Sequence, residues 1–178
     1  MIAQPEAESY VATALPGWNT VRATLYLLDD ADRLPPVPAG SVRLLEPFES
    51  LDHLPLDLRS ELRIAAGRSP IVVSLEEGHP VSFCYAASRT ESLWDIAIDT
   101  LEEFRRRGHA ARCVAFMVRL MGKEGLRPAW GAEEWNWASF GLAAKLGFYP
   151  VDELVVFRPA GTPWRTWSTT TGTSTGFG

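Results

Sequence analysis

The feature that most constrains this chain is a change of period. From Ile71 to Thr100, "IVVSLEEGHPVSFCYAASRTESLWDIAIDT" reads as three short β-rich runs, whereas from Ala110 to Glu124 apolar residues recur every three or four positions. Glu77-Gly78-His79-Pro80 joins the first two runs as a hairpin and "SRTES" joins the second to the third, which predicts an antiparallel meander. In the helical stretch Ala110, Val114, Met117 and Met121 form one stripe, flanked by Cys113, Phe116 and Leu120. Arg112, Arg119 and Lys123 take the opposite face, and Gly125 is a natural stop. The spacing predicts a helix packed on a sheet.

Between strand and helix lies Arg105-Arg106-Arg107-Gly108-His109-Ala110. A strand that ends in such a turn and passes at once into a helix turns unpaired backbone N–H groups, and the positive end of the helix dipole, toward one point. Gly108 admits a close approach, Ala110 keeps the first turn small, and the arginines add charge, so a pyrophosphate would fit. Taken alone, the same residues read equally as a solvated basic cluster with a glycine at a helix start.

Composition narrows the classes open to the chain. At 178 residues and 46% hydrophobic it is long enough for one domain with a sizeable core. A formal net charge of -5 argues against a nucleic-acid binder, which needs a basic face to neutralise phosphates. Cys84 and Cys113 stand far apart with no paired-ligand spacing, so neither a disulfide framework nor a metal site is expected, and both read as buried thiols. The polar, acidic "MIAQPEAESY" and the lack of an apolar run near the ~18 residues of a membrane span predict a soluble, cytoplasmic protein.

The remaining segments are placed more coarsely. "TVRATLYLLDD" and "SVRLLEP" read as strands around the proline-rich "RLPPVPAG", and residues 48–66 as short helices around a loop, with Pro55 starting or breaking one. "LRPAWGA" reads as a strand, "NWASFGLAAKLGF" as a helix ending at Gly147, and "YPVDELVVFRP" as a last strand pair. Residues 161–178 form a Thr/Gly-rich stretch expected to be flexible, with Trp164 and Trp167 able to dock. The sequence therefore predicts an α/β fold in a single domain over 1–160.

The pattern Arg105-x-x-Gly108-x-Ala110 between a strand and a helix resembles the acyl-coenzyme A signature of the GNAT superfamily of N-acetyltransferases. A second match lies downstream, where Asn136, Ser139, Lys145, Leu146, Gly147 and Phe148 resemble the family's Asn-x-x-Ser/Ala to Lys-Leu-Gly-Phe helix. "TLEEFRRRGHA" is similar to the form found in the branch that includes acetyltransferases conferring resistance to antibiotics and other aminated natural products. The resemblance covers about residues 71–158 and implies a mixed, twisted, mostly antiparallel sheet flanked by helices, splayed open between "LWDIAIDT" and "LRPAWGA". By the same resemblance acetyl-CoA is the cosubstrate. The backbone at Ile98 and Thr100 would pair with the pantetheine arm, Arg105, Arg106, Arg107, Gly108, His109 and Ala110 would hold the pyrophosphate, and Asn136 and Ser139 would lie near the arm's carbonyl or thioester. Asn136 is also an ordinary N-cap candidate, and Ser139 could be a surface hydroxyl. Residues 1–66 would shape the acceptor side. The partner implied is a small-molecule amine, with neither nucleic acid nor membrane, and a homodimer is consistent with the family.

The implied chemistry is attack of a neutral amine on a thioester, through an oxyanion that a strand N–H can stabilise. A base is needed because a model amine titrates at about 10.4, against roughly 8.5 for the departing thiol. Alternation puts Trp94, Ile96, Ile98 and Thr100 on one face of their strand and Asp95, Ala97 and Asp99 on the other. The apolar face is the one expected to line the site, so Asp95 and Asp99 read as paired or solvated, leaving Glu133 and Glu134, beside the cleft, as the candidate bases. Where many family members carry a tyrosine as the acid, this chain has Ala143, with Tyr85 or Tyr149 as substitutes; His109, the variable residue of the signature, would contribute only its backbone N–H. Trp94, Trp130, Trp135 and Trp137 cluster around the same opening, as core or as the wall of an aromatic acceptor pocket. A non-catalytic acyl-CoA-binding module is the alternative reading.

Overall fold

The computed structural model describes residues 1–47 and 49–161, so Trp164, Trp167 and the expected flexible stretch lie outside the described residues. Eight strands form one sheet: β1 (Ile2–Ala3), β2 (Trp18–Leu27), β3 (Val42–Leu44), β4 (Val72–Glu76), β5 (His79–Arg89), β6 (Leu93–Thr100), β7 (Arg127–Glu133) and β8 (Tyr149–Pro159). Four α-helices accompany them: α1 (Glu8–Ala14), α2 (Leu56–Ala66), α3 (His109–Gly122) and α4 (Trp137–Lys145). The spatial order is β1-β8-β2-β7-β6-β5-β4-β3. All neighbours run antiparallel except β6 and β7, which are parallel.

The meander read from the sequence is β4-β5-β6. Its first turn is the two-residue loop Glu77-Gly78, with φ 49° and 85°, the doubly left-handed geometry that suits a tight hairpin. α3 and α4 cover one face of the sheet. Val114, Met117, Val118 and Met121 of α3 pack with Cys84, Ala86, Trp94, Ile96 and Trp130 in the main core, which Ala143 of α4 and Leu146 at its C-cap complete. Trp94 and Trp130 are each 1% exposed, and each contributes about 4 kcal/mol of transfer free energy. On the opposite face α2 lays Leu62 and Ala65 over Val73, Phe83, Tyr85 and Ala97.

Helix ends follow their local chemistry. α3 closes with Leu126 N–H on the Met121 carbonyl and Gly125 N–H on that of Gly122, with Gly125 left-handed at φ 78°. Two expectations are corrected, and one unassigned stretch is filled in. "YPVDELVVFRP" is one continuous strand, tolerating Pro150 because β1 pairs with β8 only at Val155 and Val156, leaving that flank of Pro150 unladdered. Among the described residues, 49–66 hold one α-helix, started by Pro55 at its N-cap, rather than several. The first seventeen residues, unassigned from sequence, supply β1, a 3-10 turn at Pro5–Ala7 and α1.

Candidate active site

The parallel strands β6 and β7 pair only at Leu93–Arg127, Trp94–Pro128 and Asp95–Ala129. Beyond these three pairs they diverge, and the sheet opens into a wedge whose closed end is at Asp95. Leu101 N–H donates to the Val81 carbonyl, so Leu101 and Asp99 turn their peptide groups toward β5, while those of Thr100 and Ile98 point into the wedge. Arg105 Nε donates to the Thr100 carbonyl at 3.3 Å.

The open end of the wedge leads to the turn before α3. Arg106 (φ 62°) and Gly108 (φ 84°) are both left-handed. The first helical bond runs from Arg112 N–H to the Gly108 carbonyl, leaving the N–H groups of His109, Ala110 and Ala111 without helical acceptors. Two left-handed residues around an extended helix start bend successive N–H groups into a concavity for an anion. Arg105, Arg106 and Arg107 are exposed around it.

The His109 side chain is not a bystander. It is 2% exposed, folded inward beneath the turn against Ser74 and Glu76 of β4, and burial lowers its pKa. The side chain therefore has structural contacts of its own, besides the backbone N–H expected to serve the coenzyme.

Asn136 and Ser139 are placed by the start of α4. Asn136 Oδ1 accepts the Ser139 N–H at 3.1 Å as the N-cap, and Ser139 Oγ accepts the Trp130 indole N–H at 2.8 Å. The N-cap reading of Asn136 is thus realised in the fold, while Ser139 is no surface hydroxyl but the acceptor that satisfies a buried indole.

The carboxylates differ most from expectation. The apolar face of β6 packs against α3, so Asp95, Ala97 and Asp99 face the other side, together with Ala129, Gly131 and Glu133 of β7 across the wedge. Asp95 and Asp99 are half-buried. Burial raises Asp95 to about 7 although the Gly131 and Ile96 N–H groups donate to it. Burial, and then the charge of Glu61 on α2, raises Asp99 to about 6. Tyr85 points the same way, its hydroxyl 3.4 Å from Asp99 Oδ2; burial and the Asp99 charge push its phenol far above the usual range. Glu133 is no loop residue but the last of β7, 4% exposed and ion-paired to Arg158, with a pKa raised by burial. Glu134 is exposed, its N–H on the Arg22 carbonyl. Trp135 and Trp137, 44% and 78% exposed, project at the β7–α4 corner. Sequence reading missed Glu61 and the acidic face; the only signal was the polar alternation of Asp95 and Asp99.

Residues 71–157 match the family model described as GNAT acetyltransferase. Over that stretch the chain is a member of the GNAT superfamily. The uncharacterized N-acetyltransferase YdfB of Bacillus subtilis (strain 168) is 38% identical over 85 residues, which are 47% of this chain and 32% of that protein, so the chain matches only about a third of this relative. An acetyltransferase of the GNAT family from Colwellia psychrerythraea superposes with a TM-score of 0.64 at 16% identity, covering 88% of this chain and 63% of the other. A GCN5-related N-acetyltransferase from Kribbella flavida does so at 0.61 and 18%, covering 88% and 65%. These structures share the GNAT fold with this chain. Among the described residues, no helix is long and apolar enough to cross a membrane, and no group of three or more His, Cys, Asp or Glu could hold a metal ion.

Proposed function

We propose that the chain is an acyl-CoA-dependent N-acyltransferase that moves an acetyl group from acetyl-CoA to a small amine by direct attack, without metal or covalent enzyme intermediate. The observation that carries this reading is the continuity between the Arg106–Gly108 turn and the wedge between β6 and β7. A pyrophosphate at the turn places an arm along Thr100 and Ile98. Running toward the closed end, that arm reaches the level of Asp95 after about 17 Å, five residues of strand. The cap uses only Asn136 Oδ1, and we assign the amide nitrogen of Asn136 to the arm.

Asp95 is then the proton acceptor. A carboxylate near 7 is largely ionised just above neutrality and basic enough to take the amine proton. The amine nitrogen bonds to the thioester carbon, the C–S bond breaks, the amine proton passes to Asp95, and the thiolate takes a proton from solvent. Tyr85 is a poor acid for that sulfur because its pKa is raised; we assign it to holding Asp99. Glu133, neutralised by Arg158, forms the opposite wall of the acceptor side, with Trp135 and Trp137 at its rim. Glu134 has no part in this scheme.

Calorimetric titration with acetyl-CoA, followed by thiol release with a panel of aliphatic and aromatic amines, tests the proposal. Binding with turnover is expected, and no binding by the folded protein overturns it. Ala143, fully buried in the core where relatives of the resembled pattern carry a phenol, favours one other reading. Binding without turnover on any amine would establish that reading, an acyl-CoA-binding module.

A further inference from the structure

His109 occupies the one position of the Arg105–Ala110 turn whose side chain is buried against the sheet. Its Nδ1 lies 2.9 Å from Arg112 Nη2 and 2.9 Å from Ser74 Oγ. Its Nε2 is 3.4 Å from Glu76 Oε2. A guanidinium has no acceptor, so Nδ1 must carry the lone pair and Nε2 the proton, and that buried N–H lies near Glu76 without making a hydrogen bond. Arg112, so held, places Nη1 3.3 Å from the Arg107 carbonyl and 3.2 Å from where a Cβ on Gly108 would stand. The guanidinium is therefore wedged under the left-handed peptide that shapes the anion concavity.

We propose that His109 is a positioning residue for the coenzyme turn, acting through Arg112 and only in its neutral form. This rests on the reading of the turn as a pyrophosphate cradle. The charged and titratable groups facing the imidazole are Glu76 from β4 and Arg107 and Arg112 from the turn and α3, with Ser74 and the Phe104 ring, at 6.3 Å and edge-on, completing its surroundings. Protonation gives Nδ1 a hydrogen that confronts the Arg112 donor. Ser74 Oγ can accept that hydrogen and pass its own to the Ser41 carbonyl, 3.3 Å away, so the imidazolium is accommodated while Arg112 loses its partner. The brace under the Arg107 carbonyl is then released, and the turn no longer presents its N–H groups as one set.

The test is acetyl-CoA affinity by calorimetry between pH 7.5 and pH 5 for the wild type, His109→Asn, His109→Phe, Arg112→Gln and the double variant His109→Phe/Arg112→Gln, with circular dichroism confirming each fold. Asn offers Arg112 an acceptor that cannot be protonated. Its affinity should stay within about threefold of the wild type at pH 7.5, while Phe, which loses a charge-assisted hydrogen bond, should bind about tenfold more weakly. The wild-type to Asn affinity ratio should fall as the pH drops. The coenzyme's own phosphate titration, near pH 6, is common to both and cancels in that ratio. If His109 works through Arg112, the double variant should be no weaker than the worse single one. A ratio constant with pH, equal binding by the Asn and Phe variants, or additive losses would overturn the proposal while leaving the coenzyme site standing. Absence of binding by the wild type at every pH would remove the coenzyme reading and this proposal with it.

Discussion

Gly108 shows how little tolerance the turn has. At φ 84° a side chain pays a left-handed penalty of about 1 kcal/mol, and a Cβ there also meets Arg112 Nη1 at 3.2 Å. Gly108→Ala should lower stability by about 1–2 kcal/mol and weaken acetyl-CoA more than the stability loss explains, which thermal melts with and without the coenzyme would separate. Asp95 makes a different prediction, because its pKa is raised to about 7 in the folded chain, against 3.8 unfolded. Its stabilising contribution is present below the unfolded value and lost as pH rises through about 7. Asp95→Asn should therefore raise the melting temperature at pH 8, by a contribution on the order of 2–3 kcal/mol, change little at pH 3.5, and cut kcat by about 100-fold or more. The rate of the wild type should climb through pH 7. An unchanged kcat in the variant would move the base elsewhere on the wedge. Of these residues the sequence disclosed Gly108 and the arginines, because a backbone device needs a particular residue type at a particular place. It could not disclose that Asp95 and Asp99 are half-buried or that Glu133 is buried beside Arg158, nor the His109 brace, which joins residues as far apart as Ser74 and Arg112.

Elements were legible where one period ran unbroken. The β4-β5 hairpin stands where its β-rich runs and turn residues put it, with both faces of β4 and β5 buried, and α3 stands where the three-to-four spacing puts it. α1 escaped notice because none of its residues is buried, so it has no apolar stripe to read. β8, expected as a strand pair, runs unbroken through Pro150, Asp152 and Glu153, because a strand flanked for only two residues by β1 can carry all three. The hairpin also offers a gain in stability. Glu77 is exposed and held at φ 49°, a conformation that Asn adopts at lower cost and that the Asn-Gly hairpin turn prefers. Glu77→Asn should stabilise the fold by about 0.5 kcal/mol, read as a rise in melting temperature with acetyl-CoA affinity unaltered. A fall would mean that the neighbouring charge network on Glu76 depends on Glu77.

At the scale of the whole molecule, the order of the strands carries a consequence that residue patterns do not. β2 lies between β7 and β8, pairing with β7 from Ala23 to Leu27 and with β8 along its full length from Trp18 to Leu27. The stretch matched by the family model begins at residue 71, so it lacks the strand that joins its last two strands. Without β2, one wall of the wedge becomes an unpaired edge and β8 loses its long partner, leaving Val155 and Phe157, 0% and 1% exposed, without their backing strand. The sequence placed a strand at "TVRATLYLLDD" but could not say where it pairs, because an antiparallel partner more than a hundred residues away leaves no local signature. A fragment beginning at residue 29 should therefore fail to fold, giving a collapsed or aggregated state by circular dichroism and no acetyl-CoA binding. A fragment beginning at residue 16, which keeps β2 but drops β1 and α1, should fold with a melting temperature lowered by several degrees. A folded, coenzyme-binding fragment from residue 29 would show that β7 holds its half of the wedge unaided, and that the N-terminal strand serves the acceptor side alone.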